Sequence, residues 1–161
     1  MDRSEPYLLE PGATRREGAL LPFKACASDT HGALSVCEFT LGSWSTGPVL
    51  HVHHSVDEAF YVTSGLVEFQ VGEERLVGRE GSFAWVPRGT AHTYANASEV
   101  TAHVIALAIP GGIEEMFAEQ AAHIASSNGA PDHSTLDEIG RRHGAVTLGP
   151  PIEATRGPAV S

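Results

Sequence analysis

Two short stretches hold the side chains that can do chemistry. The first reads Leu50-His51-Val52-His53-His54-Ser55-Val56-Asp57-Glu58-Ala59-Phe60, the second Thr90-Ala91-His92-Thr93-Tyr94. Together they carry four of the nine histidines in the chain. Side chains two apart on a strand leave the same face. His51 and His53 therefore project together, with Val49 beside them, and His54 projects the other way. After a tight turn Glu58 opens the next strand and shares a face with Phe60 and Val62. In the second stretch a strand ends at Pro87-Arg88-Gly89, and the strand that follows presents His92 and Tyr94 on one face. Three imidazole nitrogens and one carboxylate oxygen suit a borderline divalent transition metal, and on an octahedral ion they leave two positions open.

Such a set needs strands that hold its members at one point. From residue 21 to 109 the chain alternates short apolar runs with turn signals. The runs fall at about 21–27, 33–41, 48–54, 58–63, 66–71, 75–77, 82–86, 91–95 and 100–109, and Gly or Pro separates most of them. That spacing predicts a closed or sandwiched antiparallel sheet. The period then changes. Ile113, Met116, Phe117, Ala121 and Ile124 form a helical stripe, ended by Ser126-Ser127-Asn128-Gly129. The stripe is expected to pack on the outside of the barrel, with closure of the barrel mouth as the alternative. Ser134 reads as the N-cap of a second, short helix that closes near Arg141-Arg142-His143-Gly144. The organisation expected is an arm over 1–20, a β-barrel over 21–110, two helices packed on it over 111–144, and a partly ordered tail over 145–161.

A single domain of 161 residues with 42% hydrophobic and 19% charged residues is neither disordered nor long enough for two cores. The formal charge of −10 argues against nucleic acid and anionic membranes as partners. No apolar stretch approaches the ~20 residues of a membrane span, and the N-terminus has no apolar signal region, so a cytoplasmic protein is expected. Cys26 and Cys37 form no CxxC pair and sit among apolar neighbours, where they read as small buried side chains. His103 lies in an apolar strand whose inward face is open at this level.

The two stretches resemble the signature motifs of the cupin superfamily. His51, His53, Glu58 and Gly65 fit H-x-H-x4-E-x6-G, and Gly81, Pro87, Gly89, His92 and Asn96 fit G-x5-P-x-G-x2-H-x3-N at every position. The first motif departs at its leading glycine: Ser45 stands at the expected position and Gly47 two residues later. The resemblance implies an all-β fold, an antiparallel double-stranded β-helix (jelly-roll barrel) with a short C-terminal α-helical extension. It implies one divalent transition metal per chain (Ni, Mn, Fe, Co or Zn) on His51, His53, Glu58 and His92. A homodimer is also implied, with Leu50, Val52 and Tyr61 as outward apolar residues compatible with one.

A finer resemblance is to quercetinase-like cupins. It rests on Asp57-Glu58-Ala59-Phe60-Tyr61-Val62, on Pro110-Gly111-Gly112-Ile113-Glu114-Glu115-Met116-Phe117, and on Leu136–Ile139 and Leu148–Pro151. It implies a dioxygenase acting on a small aromatic or polyphenolic substrate, with Glu58 as both ligand and general base. The substrate pocket would be lined by Tyr94, Phe60, Val62, Phe69 and Trp85. A polyketide cyclase or isomerase on the same metal, or a binding protein without activity, are the alternatives.

Overall fold

The structure is a computed structural model and describes residues 5–128 and 130–154. Ten strands and two helices follow one another: β1 Phe23–Ala25, β2 Ser35–Leu41, β3 Leu50–His53, β4 Asp57–Ser64, β5 Leu66–Val71, β6 Glu74–Arg79, β7 Phe83–Val86, β8 His92–Ala95, β9 Ala102–Ile109, α1 Ile113–Ser126, α2 His133–Arg142 and β10 Ala145–Gly149. They form two five-stranded antiparallel sheets, one ordered β1-β2-β9-β4-β7 and the other β10-β3-β8-β5-β6. The inner faces meet to make a double-stranded β-helix. Among the described residues no helix is long and apolar enough to cross a membrane.

Alternation sets the strands. In β9, Ala102, Val104, Ala106 and Ala108 are buried while His103 and Ile105 face outward. β2 answers with Ser35, Cys37, Phe39 and Leu41 inward, and its seven residues pair without a slip against β9. A one-residue shift would turn every one of these side chains to water, so the pattern holds the register. His103 is thereby an outer residue, paired with Thr40 at 3.2 Å.

Two glycines are required by close approach. A Cβ on Gly47 would collide with the carbonyl oxygen and ring of Tyr94. Gly47 thus supplies the close contact at the displaced leading glycine of the first motif. Gly65 has φ +80°, and a Cβ there would lie 2.7 Å from the Thr101 carbonyl oxygen.

Asn96 closes the barrel end. Its Nδ2 donates to the carbonyls of Leu41 (3.1 Å), Gly42 (3.0 Å) and Val100 (2.8 Å). Its Oδ1 accepts from the Ser98 backbone N–H and hydroxyl. With the residue fully buried, Asn96→Ala removes a donor from each of these carbonyls. Gly42 keeps the Ser45 hydroxyl and Val100 the Ser98 hydroxyl, so the loss falls mainly on the Leu41 carbonyl and a cost of about 1–3 kcal/mol is expected. Urea unfolding checks this; a change under about 0.5 kcal/mol would reject the clip.

The helices and the tail differ from the sequence expectation in three respects. Asp132, not Ser134, caps α2, accepting from the backbone N–H groups of Ser134 and Thr135. Residues 145–149 form strand β10 on the edge of β3, with Ala145 opposite His53 and Thr147 opposite His51. The prolines that suggested a loose tail begin only at Pro150; residues 155–161 lie outside the described residues. Finally, α1 lies across the mouth of the barrel, where Ile113 and Met116 are buried. The buried carboxylate of Glu114 anchors it, accepting from the Ser35 hydroxyl at 2.5 Å and the Ala27 N–H at 2.7 Å.

Hydrogen bonds from the Thr135 and Ser134 hydroxyls and the Ser134 N–H hold the Asp132 carboxyl at about 2, below its usual range. A depressed carboxylate stabilises the fold above its unfolded value near pH 4 and loses that contribution as pH falls through about 2. Asp132→Ala is expected to lower the thermal midpoint at pH 7. The gap between variant and parent should close toward pH 2, which thermal scans across pH will show.

Candidate metal centre

The two sheets contribute different donors. β3 carries His51 and His53, and β8 places His92 directly opposite His51. Glu58 comes from β4 of the other sheet, between Val86 of β7 and Ala108 of β9. Closure of the barrel therefore brings the carboxylate to the imidazoles. One donor atom from each of His51, His53, Glu58 and His92 lies within 4.8 Å of the others. His92 Nε2 stands 2.7 Å from Glu58 Oε2, and His53 Nε2 stands 3.5 Å from the same oxygen. Two donors at right angles on one ion, each about 2.1 Å away, are about 3 Å apart. The observed separations bracket that value.

The surroundings orient the donors. His51 Nδ1 donates to the Val49 carbonyl (2.8 Å) and His92 Nδ1 to the Thr90 carbonyl (3.0 Å). A carbonyl only accepts, so each ring keeps Nε2 for the centre, an arrangement common among metal-bound histidines. Burial, then the neighbouring His92 and His53, pushes His51 down to about 4; burial also lowers His53. Burial would push His92 down as well, but the Glu58 carboxylate outweighs it and raises the group. Burial would push Glu58 up, but the hydrogen bond from His92 and the three imidazoles outweigh it, so Glu58 is held below the usual carboxylate range. An ionised carboxylate with neutral His51 and His53 is the form a cation needs. The donor set, its spacing and its tautomers fit a divalent metal.

His54 is exposed on the opposite side of β3, as strand parity requires. Val52, expected to face outward, is buried at 6% exposure because β10 lies alongside it.

A cavity of about 450 Å³ opens over the centre. Phe39, Phe60 and Tyr94 line it from the sheets, Met116, Phe117 and Ile124 from α1, and Leu136 from α2. Tyr94 stacks on Phe39 with centroids 5.0 Å apart. Burial pushes its phenol far above the usual range, so it remains a donor. Its hydroxyl makes no hydrogen bond among the described residues, although it borders the cavity.

Three of the five residues expected to line the pocket do not. Trp85 is 48% exposed and points away from the barrel, because Val86 takes the inward place on this short strand. Val62 is fully buried between the sheets beneath Gly78. Phe69 stands behind the wall, its ring 5.7 Å from Phe60 and 6.2 Å from Tyr94. Residues outside those five replace them. Gln120, His133, Asp137 and Thr147 bring polar groups to the cavity. Gln120 carried a signal: it sits midway between Met116 and Ile124 on an otherwise apolar helical stripe. Among the described residues no Lys or Arg lines the cavity.

Comparison with known proteins agrees with this architecture. Residues 37–109 match the family model for the cupin domain. A protein with a double-stranded β-helix domain from Klebsiella pneumoniae superposes with TM-score 0.55 at 16% identity, over 67% of this chain and 93% of its own. A predicted oxalate decarboxylase from Thermotoga maritima superposes with TM-score 0.53 at 16% identity, over 56% and 78%. KdgF from a Halomonas species gives 0.51 at 21%, over 61% and 84%. At these identities the likeness concerns the fold. Curated proteins gave no match. The barrel, the motifs and the family model agree on residues 37–109, which match the cupin domain, and the solved structures share its fold.

Proposed function

We propose that this cupin is a metal-dependent enzyme acting on a small aromatic or polyphenolic compound, as a quercetinase-like flavonol dioxygenase. The observation that carries the reading is the cavity: three imidazoles and a carboxylate border a chamber walled by aromatic and aliphatic side chains. Among the described residues a phosphorylated or dicarboxylate substrate would meet no Lys or Arg there, whereas a planar ring with few oxygens fits an apolar wall with few polar groups. When bound, a divalent metal on His51, His53, Glu58 and His92 would supply Lewis acidity and a template for an oxygen-bearing substrate.

The chain's own residues do the rest. Glu58 Oε2 faces His92 and His53, while Oε1 makes no hydrogen bond among the described residues and can take a proton from a substrate hydroxyl. The Tyr94 phenol donates to a second substrate oxygen. Phe39 and Phe60 fix the plane of the ring, and α1 and α2 keep bulk water from the chamber.

The test is an oxygen-electrode trace. Protein reconstituted in turn with Ni, Mn, Fe and Co is expected to consume dioxygen when quercetin is added. Conversion of a polyketide-like substrate without dioxygen uptake would replace this reading with a cyclase or isomerase. Saturable quercetin binding without turnover would reduce the protein to a binding module.

A further inference from the structure

One wall of the chamber comes from outside residues 37–109: α2 and β10 close the side next to β3. β10 pairs with β3 so that Thr147 stands directly opposite His51, one of the four converging donors. Residues opposite one another in an antiparallel pair leave the same face of the sheet, with Cβ atoms about 4.5–5.5 Å apart. The Thr147 side chain is therefore a neighbour of the His51 ring. α2 packs on this part of β10, and a Cβ on Gly140 would stand 3.2 Å from the Ala145 carbonyl oxygen. His133, Leu136, Asp137 and Gly140 border the cavity at i, i+3, i+4 and i+7, a single face of the helix.

Asp137 sets a carboxylate on that face. Its Oδ1 accepts from the Thr147 hydroxyl at 2.7 Å, which fixes the side chain. Its Oδ2 makes no hydrogen bond among the described residues, and no described Lys or Arg lines the cavity to pair with it. A carboxylate only accepts, and withdrawing one from water without a donor is costly. The group suited to Oδ2 is therefore a neutral O–H or N–H donor, and a second carboxylate is disfavoured there. Gln120 of α1, which packs against α2, borders the same cavity, and its amide is likewise without a hydrogen bond among the described residues. The cavity thus has a polar side beside its apolar walls.

We infer, on the basis of the aromatic substrate proposed above, that Asp137, held by Thr147, accepts a hydrogen bond from a second hydroxyl of that substrate, away from the oxygen that meets the four donors. Asp137 thereby selects polyhydroxylated rings over related compounds without that hydroxyl. The test compares quercetin with 3-hydroxyflavone, which keeps the 3-hydroxyl and 4-carbonyl but lacks the remaining hydroxyls. Metal-loaded protein is used throughout, with Kd measured by calorimetry in the absence of dioxygen and kcat/KM measured in its presence. The parent is expected to bind quercetin roughly ten- to hundred-fold more tightly, the range for one hydrogen bond to a carboxylate. In Asp137→Ala the ratio of the two Kd values should fall toward one, with metal content as in the parent. Thr147→Val should lower the ratio less, and Glu138→Ala, at an exposed position outside the cavity, should keep it. If Asp137→Ala does not fold, Asp137→Asn and Thr147→Val carry the comparison, each with a partial fall expected. A parent that binds both flavonols alike, or an Asp137→Ala ratio equal to the parent's, would overturn the inference, while dioxygen uptake would still support the dioxygenase. Discrimination that depends on Asp137 without dioxygen uptake would overturn the dioxygenase and support the Asp137 contact. Binding of neither flavonol would overturn both.

Discussion

Glu58→Gln, fully loaded with metal, is expected to turn over quercetin roughly 10²–10⁴-fold more slowly than the parent, the usual range for a positioned proton transfer. The substitution keeps the side-chain volume and one oxygen for the metal while removing charge and basicity. It therefore separates two roles that the wild-type residue combines. Glu58 stands below the usual carboxylate range because the His92 hydrogen bond and the three imidazoles outweigh the cost of burying it. The parent's rate should accordingly fall only at acid pH, as Glu58 takes up its proton, and the variant should lack that limb. Metal content must be measured on both proteins, since loss of the carboxylate charge also weakens ligation. A metallated Glu58→Gln with unchanged rate and pH profile would remove Glu58 from proton transfer and leave it as a ligand alone.

The other large effect concerns occupancy. The parent is expected to hold close to one metal per chain, and His51→Ala, His53→Ala and His92→Ala to retain under about a tenth of that. His54→Ala should match the parent. The contrast rests on geometry: three of these rings converge on Glu58 within 4.8 Å, while His54 is exposed on the other face of the same strand. Elemental analysis after reconstitution with each candidate metal decides the matter. Thermal midpoints give a second readout, because a ligand bound only by the folded state raises stability by RT ln(1 + [L]/Kd). Metal loss in His54→Ala with retention in His51→Ala would mean that the register of β3 is wrong.

Short-range rules account for the local part of this protein. Nine of the ten strands, both helices and the four clustered residues follow from short-range rules: alternation by two, a helical stripe, and glycine or proline at the turns. His51 and His53 must share a face whatever the rest of the chain does, and Glu58 must share one with Phe60. Tertiary structure decided which face points inward and what lies across it. In β7 both faces are apolar, so periodicity could not tell that Val86 turns in and Trp85 out; its pairing with β4 settled that. The amphipathic stripe of α1 announced that the helix packs on something, and only the turn at Gly111–Gly112 and the Glu114 anchor set it over the mouth instead of along the wall. Strand β10 is invisible locally because it exists by pairing with the exposed edge of β3, about 90 residues earlier in the chain. The carboxylate of one sheet reaches the imidazoles of the other only when the barrel closes, and that closure is a long-range packing event that no window of sequence contains.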